Sequence, residues 1–216
     1  MEGSVKRVIS AYERDSHYRT AKRMLDITLS ALALAVLWPF LLVLCGLIPL
    51  DSPGAGPIFV QTRVGKQGKP FRMYKFRTMV PRAEALRPAL MDRNEMDGPV
   101  FKLKNDPRIT RLGRFLRRSG IDELPQLINV LKGEMSLVGP RPGLPEEAAR
   151  YDAFAAQRLT VLPGITCYWQ IQPGRNQLSF RQWMALDAQY IRDRSLLTDL
   201  KILLATARVI WRMDGQ

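Results

Sequence analysis

The sequence predicts an α+β protein that is mostly helical, with a small β-hairpin or sheet and an N-terminal helix that enters a membrane. Three observations predict this fold class. Residues 27–50 carry no charged side chain, residues 58–64 and 71–79 are rich in β-branched and aromatic residues, and much of the remainder places apolar residues at helical spacing. We expect two parts: residues 1–50 as a lead-in with the membrane helix, and residues 51–216 as a globular domain.

The chain is strongly basic. Lysine and arginine total 33 against 20 aspartates and glutamates, which gives a net charge of +13 over 216 residues. Such a charge predicts an anionic partner: nucleic acid, an anionic membrane surface or a phosphorylated substrate. The single histidine, His17, would have to supply any Ser-His-Asp triad or histidine-rich metal site alone. Cys45 and Cys167 lie far apart without a redox or metal spacing, so we expect chemistry from carboxylates, arginine and lysine.

Residues 1–20 are expected to form a polar, basic lead-in on the lipid headgroups, followed by the uncharged run. About 24 residues at 1.5 Å each would reach roughly 36 Å, which is enough for a bilayer core. A cleaved signal peptide is one interpretation, but the run is longer than a usual apolar signal region. Pro39 lies near the middle, where it bends the helix, and both flanks are basic, which favours keeping both ends in the cytoplasm. The sequence therefore favours a re-entrant helix that bends at Pro39 over a transmembrane span.

The segment GKQGKP joins the two strand-like segments, and its glycines suit a tight reversal. Residues 58–64 and 71–79 therefore predict a β-hairpin. Residues 80–98 predict a short helix followed by a loop.

Residues 106–120 predict an amphipathic helix with an arginine-rich face. The basic face could be solvated or could contact anionic lipid headgroups, and both interpretations stay open. The apolar face would hold Ile109, Leu112, Phe115 and Leu116, and the basic face Arg108, Arg111, Arg114 and Arg118.

Five more segments follow toward the C-terminus. Residues 123–132 predict a helix with Asp122 as its N-cap, Pro125 in its first turn and Gly133 as its stop. Another helix, a loop with a short strand and two final helices are predicted at residues 144–159, 162–176, 180–193 and 195–213. The last of these could pack on the core or lie in the membrane interface.

Asp122 and Glu123 stand side by side in strongly basic surroundings. A helix cap is one interpretation. The other is a site for phosphate chemistry, because arginines at positions 117, 118 and 141 could bind phosphate oxygens in a bidentate manner. Magnesium is usually held by one or two carboxylates together with substrate phosphates. The acid pair could therefore bind a metal–pyrophosphate and leave one acid to attack phosphorus.

Three motifs resemble the bacterial sugar transferases of the monotopic phosphoglycosyl transferase superfamily. They are KFRTM (75–79), DELPQLINVLKGEMSLVGPRP (122–142) and RLTVLPGITCYWQIQPGRN (158–176), in the family's order. The resemblance extends from about Lys22 to the C-terminus. It implies a polyprenyl-phosphate sugar-1-phosphate transferase that initiates exopolysaccharide, O-antigen or other glycoconjugate synthesis. Such enzymes use a UDP-sugar, undecaprenyl phosphate and Mg²⁺, and release UMP in a ping-pong sequence.

The resemblance also implies roles for individual residues. Asp122 would be the nucleophile that forms a phosphosugar–aspartyl intermediate, and Glu123 would help hold Mg²⁺ or manage a proton; both are candidate metal ligands. Pro140 and Arg141 of the PRP motif would contact phosphate or nucleotide. The remaining candidates for substrate binding are Lys75, Arg77, Arg117, Arg175 and Asp187.

The family's anchor is a re-entrant helix broken at a proline, which corresponds to Pro39. The resemblance implies a protein of the bacterial inner membrane with residues 51–216 as a catalytic domain on the cytoplasmic face. It further implies interfacial amphipathic helices in contact with membrane lipids, and it allows a homodimer. This chain departs from the family at Trp38, where some members carry serine, and at Cys167, Tyr168 and Pro173, which are expected to reshape the sugar pocket.

The alternative function is a non-catalytic basic membrane protein that binds anionic lipid or nucleic acid. It would explain the charge but not the adjacent acids or the ordered motifs. A nucleic-acid partner is not expected, because aromatic residues are not interleaved on a basic sheet.

Overall fold

The computed structural model describes residues 2–211, with side chains from residue 16 onward except that of Asn176. The described residues are mostly helical and contain two small two-stranded sheets, which confirms the predicted α+β class. Short 3₁₀ turns connect several elements, including Ile121–Glu123. The elements are α1 (Glu2–Asp51), β1 (Ile58–Val64), β2 (Pro70–Phe76), α2 (Arg111–Ser119), α3 (Gln126–Lys132), β3 (Ser136–Val138), α4 (Pro145–Ala148), β4 (Gly164–Thr166), α5 (Phe180–Asp193) and α6 (Leu196–Trp211).

The predicted β-hairpin is confirmed. β1 and β2 pair antiparallel, with Phe59 opposite Lys75 and Arg63 opposite Phe71. The chain reverses through Gln67 and Gly68, both at positive φ. Since paired residues share a face of the sheet, Lys75 and Arg63 lie on the same face as the buried Phe71. The hairpin thus presents two cations toward the interior of the domain.

A second sheet pairs β3 with β4 in parallel, and the sequence did not predict β3. Ser136 is opposite Gly164 and Val138 is opposite Thr166. The backbones approach so closely beyond β3 that a Cβ atom on Gly164 would overlap the backbone of Gly139. Three-residue strands show no recognisable alternation, so their pairing depends on this tertiary contact.

The acid pair precedes α3 in a 3₁₀ turn, so the prediction of Asp122 as an N-cap was wrong. Pro125 occupies the N-cap position of α3, while Gly133, at φ 80°, ends the helix as predicted. The turn begins at Gly120, at φ 69°, which also ends α2. The N–H groups of Glu123 and Leu124 bond to the carbonyls of Gly120 and Ile121, three residues earlier, so Asp122 lies inside a 3₁₀ turn and does not cap α3.

The helix predicted at residues 106–120 starts later, at Arg111, because the Thr110 hydroxyl accepts a hydrogen bond from the N–H of Gly113 at 3.0 Å. Arg108 precedes the helix, is buried and forms an ion pair with Asp106 at 2.6 Å, so it does not belong to the basic face. Phe115 is 48 % exposed and does not pack in the core.

Two other predicted helices are mostly turns. Residues 80–98 contain the 3₁₀ turns Ala83–Leu86 and Pro88–Arg93, because Pro88 interrupts the backbone hydrogen bonds. Residues 144–159 contain the short helix α4 and a separate 3₁₀ turn, Ala155–Thr160. Arg158 in that turn is buried by tertiary contacts, and these override the local helical preference.

The long helix α1 contacts the domain at both ends of its uncharged run. At the start, the Asp26 carboxylate accepts a hydrogen bond from the N–H of Leu137 at 3.0 Å. At the end, the buried Leu44 and Ile48 pack with Phe76 and Leu116. A straight transmembrane span would separate these two contacts by a bilayer. Both ends of the uncharged run therefore contact the same domain, which favours a re-entrant helix.

The helix continues through Pro39, and the bend expected there stays a prediction. Residues 2–51 form one helix with Pro39 and Pro49 inside it. One proline removes a single hydrogen bond, and the neighbouring bonds of the helix persist. Within the described residues, Ser16–Asp51 is long and apolar enough to cross a membrane by length and composition.

The helix α6 both packs on the core and contributes to an exposed apolar surface. Asp199 and Ile202 are 1 % exposed, whereas Leu197 and Leu204 are more than half exposed. The central part of α1 is similarly exposed at Val36 and Trp38. A surface of this kind fits an interfacial membrane location.

We expect single cysteines at Ser16 and Pro53, both exposed beyond the ends of the uncharged run, to react from the same side of a membrane. The measurement is labelling of vesicles with an impermeant maleimide in a Cys45→Ala background. Leu47→Cys, on the exposed apolar surface, serves as the control and should react only after detergent is added. Labelling of the two ends from opposite sides would show that α1 spans the bilayer.

Candidate active site

The two adjacent acids differ sharply in their partners. Oε1 of Glu123 accepts hydrogen bonds from Nζ of Lys75 at 2.7 Å and from Nη1 of Arg141 at 2.9 Å. The Asp122 side chain, in a residue only 7 % exposed, has no hydrogen bond or ion pair to any residue in the described part of the chain. One acid is therefore neutralised, and its neighbour keeps its oxygens available.

Their pKa values move in opposite directions. Burial raises the pKa of Asp122 to about 6, aided by the adjacent Glu123 and opposed by Lys75. Burial alone would raise the pKa of Glu123 as well, but the charges and hydrogen bonds of Arg141 and Lys75 hold it well below its ordinary value. At neutral pH both acids are ionised, and Asp122 is the more basic of the two.

The positions of Lys75 and Glu123 are fixed by Asn129, a fully buried residue of α3. Its Oδ1 accepts a hydrogen bond from the N–H of Tyr74 at 3.1 Å, and its Nδ2 donates to the carbonyl of Arg72 at 2.7 Å. These bonds join α3 to β2 next to Lys75. The lysine and the acid turn are thereby held in register.

Arg117 lies in the last turn of α2 and lines the same cleft as Asp122. Its Nε donates a hydrogen bond to Oγ1 of Thr78 at 2.9 Å. Burial lowers the pKa of Arg117, and the nearby Asp122 partly opposes this shift. The guanidinium of Arg117 therefore lies near the unpaired carboxylate of Asp122.

Arg158, which is paired with the buried Asp187, contacts the backbone of Arg141. Nη2 of Arg158 donates to the backbone carbonyl of Arg141 at 2.6 Å and lies 2.9 Å from Oδ2 of Asp187. Burial raises the pKa of Asp187 to about 6, opposed by Arg158. Asp187 is 1 % exposed and is not among the residues that line the cleft, so its expected contact with substrate stays a prediction.

Three further candidates have local anchors. Nε of Arg77 donates to the carbonyl of Gly56 at 2.7 Å, and Nη1 of Arg175 donates to the carbonyl of Gln170 at 2.6 Å. Both arginines line the cleft. Pro140 is not among the residues that line the cleft, and its carbonyl accepts a hydrogen bond from the N–H of Gly164 at 3.0 Å, so its expected contact with substrate stays a prediction.

Arg63 of β1 is a cleft residue that the sequence analysis missed. Its Nη1 donates to the carbonyl of Pro142 at 3.1 Å, and its Nε and Nη2 donate to Oε1 of Gln61. Burial and the nearby Arg141 lower the pKa of Arg63 to about 10. Alternation along β1 places Phe59, Gln61 and Arg63 on one face, and this signal could have identified it.

The cleft has a volume of about 1180 Å³, comparable with large ligand sites. Among the described residues that line it, lysines and arginines number twelve and acids six, which favours an anionic ligand. One part of the wall contains Trp169 stacked on Trp183 at 4.2 Å, with Lys102 over the Trp183 ring at 5.8 Å. The basic and aromatic surfaces suit a nucleotide.

The residues that distinguish the last motif lie outside the cleft wall. Cys167 is buried, and its Sγ donates to Oε1 of Gln170 at 3.2 Å. Tyr168 packs edge-on against Tyr190, with ring centroids 5.9 Å apart. Neither these residues nor Pro173 lines the cleft, and their expected influence on the sugar pocket stays a prediction.

The acid pair fits a magnesium ion only if a substrate completes the site. Within the described residues, no three His, Cys, Asp or Glu side chains cluster as metal ligands. Asp122 and the second oxygen of Glu123 remain as carboxylate ligands, since Oε1 of Glu123 is bonded to two cations. One or two carboxylates together with substrate phosphates form the usual magnesium site.

Comparison of the sequence with known proteins identifies the family to which this chain is similar. A family model described as "Bacterial sugar transferase" matches residues 17–213. The chain is 46 % identical over 191 residues to the galactosyl transferase CpsE of Streptococcus agalactiae serotype III, covering 88 % of this chain and 42 % of that protein. It is 41 % identical to the undecaprenyl-phosphate galactose phosphotransferase of Salmonella typhimurium, covering 91 % of this chain and 42 % of that protein.

A shorter relative is covered almost completely. The exopolysaccharide production protein ExoY of Sinorhizobium fredii is 39 % identical over 199 residues, which cover 90 % of this chain and 87 % of ExoY. In contrast, the chain spans about two fifths of the length of CpsE and the Salmonella protein. The match over residues 17–213 shows that the chain belongs to the bacterial sugar transferase family.

Proposed function

We propose that the protein transfers a sugar 1-phosphate from a UDP-sugar to a polyprenyl phosphate, such as undecaprenyl phosphate, and releases UMP. The reaction takes place on the cytoplasmic face of the bacterial inner membrane. The main support is the buried, unpaired carboxylate of Asp122 beside a glutamate that two cations neutralise. The names of the relatives refer to galactose and to undecaprenyl phosphate, which makes UDP-hexoses the first donors to assay.

In the first half-reaction, an Asp122 carboxylate oxygen attacks the phosphorus that carries the sugar. A new bond joins this oxygen to phosphorus, and the bond from phosphorus to the bridging oxygen of the diphosphate breaks. UMP leaves with the bridging oxygen and its electron pair. The products are a phosphosugar–aspartyl intermediate and UMP.

In the second half-reaction, a phosphate oxygen of the polyprenyl phosphate attacks the same phosphorus. The bond to Asp122 breaks and restores the carboxylate. The product is a polyprenyl diphosphate sugar. Neither half-reaction requires a proton from Glu123, whose depressed pKa keeps it ionised.

The cations around the acid pair bind and orient phosphate groups. Arg117 and Arg141 line the cleft near Asp122 and present guanidinium donors to an entering diphosphate. Lys75 holds Glu123 in place through the 2.7 Å bond. Asp122 and Glu123 would hold Mg²⁺ together with the substrate, and the ion would neutralise charge on the diphosphate.

A non-catalytic lipid-binding protein accounts less well for the structure. It would explain the basic surface and the exposed apolar residues of α1 and α6. It gives no reason for burying an ionisable group without a partner, which is unfavourable unless the group has a function.

Asp122→Asn should abolish UMP release while membrane binding remains, because an amide does not replace the carboxylate nucleophile. We expect a loss of at least about a thousandfold, within the range of removing a catalytic nucleophile. The measurement is UMP release from a panel of UDP-hexoses in vesicles. Asp92→Asn, an exposed acid outside the cleft, is the matched control and should keep wild-type activity. A wild-type rate for Asp122→Asn would contradict the mechanism.

The rate of UMP release should rise with pH, reach half its maximum near pH 6 and level off about one pH unit higher, since Asp122 must be ionised to attack and its pKa is about 6. The measurement is the pH profile of the single-turnover rate with donor alone. Lys75→Met should move this limb to higher pH, because Lys75 lowers the pKa of Asp122. A limb at the same pH in both proteins would exclude Asp122 as the titrating group.

Asp122→Asn should also stabilise the folded protein at neutral pH. The folded state raises the pKa of Asp122 from 3.8 to about 6, so it binds more protons than the unfolded state between these values. This group therefore costs stability above about pH 6, and the cost disappears as the pH falls toward 4. We expect a higher melting temperature than wild type at pH 7.5 and a smaller difference at pH 4.5. An equal difference at both pH values would contradict the assigned shift.

A further inference from the structure

One wall of the cleft is apolar and belongs to α6. Its lining residues are Leu203, Thr206, Val209 and Ile210, which follow the three- and four-residue spacing of one helix face. The hydroxyl of Thr206 lies 2.7 Å from Oγ1 of Thr166 and is therefore engaged within the protein. This wall offers mainly carbon surface to a ligand.

The apolar wall lies next to the reacting carboxylate. A Cβ atom on Gly120 would lie 3.9 Å from Cγ1 of Ile210, so the end of α6 approaches the start of the acid turn. Asp122 follows two residues later and lines the same cleft, together with Arg117 and Arg118. An anionic head group bound by these arginines would therefore have the carbon surface of α6 beside it.

The same part of the cleft borders the exposed apolar surface. α2 contacts α6, and Phe115 of α2 is 48 % exposed. On α6, Leu204 is 56 % and Trp211 is 88 % exposed. The groove between α2 and α6 is thus continuous with the surface that fits a membrane interface.

We propose that the groove between α2 and α6 binds the isoprenoid chain of the acceptor, with its phosphate directed toward Arg117 and Asp122. This inference rests on the proposed function and specifies where its lipid substrate binds. The groove is defined by Arg118 of α2 and by Leu203, Val209 and Ile210 of α6.

The physical reason is the cost of moving an isoprenoid chain into water. Each methylene transferred from hydrocarbon to water is unfavourable, so a long polyprenyl chain cannot leave the bilayer to reach a buried carboxylate. A groove that opens on the apolar surface lets the phosphate reach Asp122 while the chain stays on carbon surface. The soluble donor has no such requirement, and the cleft wall with Trp183 and Lys102 suits its nucleotide.

Three tryptophan or charge substitutions on α6 test the groove. Val209→Trp fills it, and Ile210→Glu places a charge at a half-exposed position in it. Leu204→Trp is the matched control, because Leu204 is exposed on the same helix but does not line the cleft. The ping-pong sequence allows the two half-reactions to be measured separately.

With UDP-sugar alone, the burst of UMP reports the first half-reaction and the integrity of the fold. We expect the wild type and all three variants to show the same burst amplitude. With undecaprenyl phosphate added, Val209→Trp and Ile210→Glu should raise the acceptor KM about tenfold, the effect of withdrawing roughly two buried methylenes. Leu204→Trp should change the acceptor KM less than about twofold. The effect of Val209→Trp on the acceptor KM should be smaller with geranyl phosphate, because its chain is short.

The contrary results are distinct. An unchanged acceptor KM in both groove variants with a normal burst would overturn the groove assignment while leaving the proposed function intact. An equal rise in Leu204→Trp, or a rise independent of chain length, would overturn it by indicating altered seating on bilayer phospholipid. Absence of a UMP burst in the wild type would overturn the proposed function itself.

Discussion

The neutralisation of Glu123 by two cations is the interaction on which the site depends. Lys75 comes from β2 and Arg141 follows β3, so one carboxylate oxygen joins two parts of the chain to the acid turn. Removing one partner of these partly buried ion pairs leaves the remaining charge without full compensation, which costs less than the roughly 3–5 kcal/mol of a fully buried pair. The pairing therefore fixes the geometry around Asp122 and also decides which of the two acids is available.

The supports of this interaction are backbone contacts made by buried polar side chains. Asn129 bonds to the backbone of β2, and Arg158 bonds to the carbonyl of Arg141 at 2.6 Å. Neither side chain has to touch a substrate to affect catalysis. A displacement of either support would move a cation away from Glu123, since well-packed interiors transmit small shifts.

The sequence predicted the elements that have strong local signals. The hairpin, the end of α3 at Gly133 and the helix over residues 180–193 follow from alternation, glycine chemistry and helical spacing, and the structure confirms them. It also brings Lys75, Arg117 and Arg141 into the cleft with the acid pair, although their roles remain predictions. The β3–β4 pairing was missed because three-residue strands show no period and meet only through a close glycine approach. The helical pattern at residues 144–159 was misleading because burial of Arg158 overrode it.

The contacts that α1 makes with the domain at both ends of its uncharged run determine how the protein can be purified. Leu44 and Ile48 are part of a core cluster, and Asp26 bonds to β3, three residues before the PRP motif begins. Deleting α1 would uncover Phe76 and Leu116 and leave the N–H of Leu137 without its partner. Burial of Leu44 and Ile48 alone contributes roughly 1.5–3 kcal/mol each. Truncation would therefore yield an aggregating fragment rather than a water-soluble enzyme, and purification requires a detergent or lipid that retains the helix.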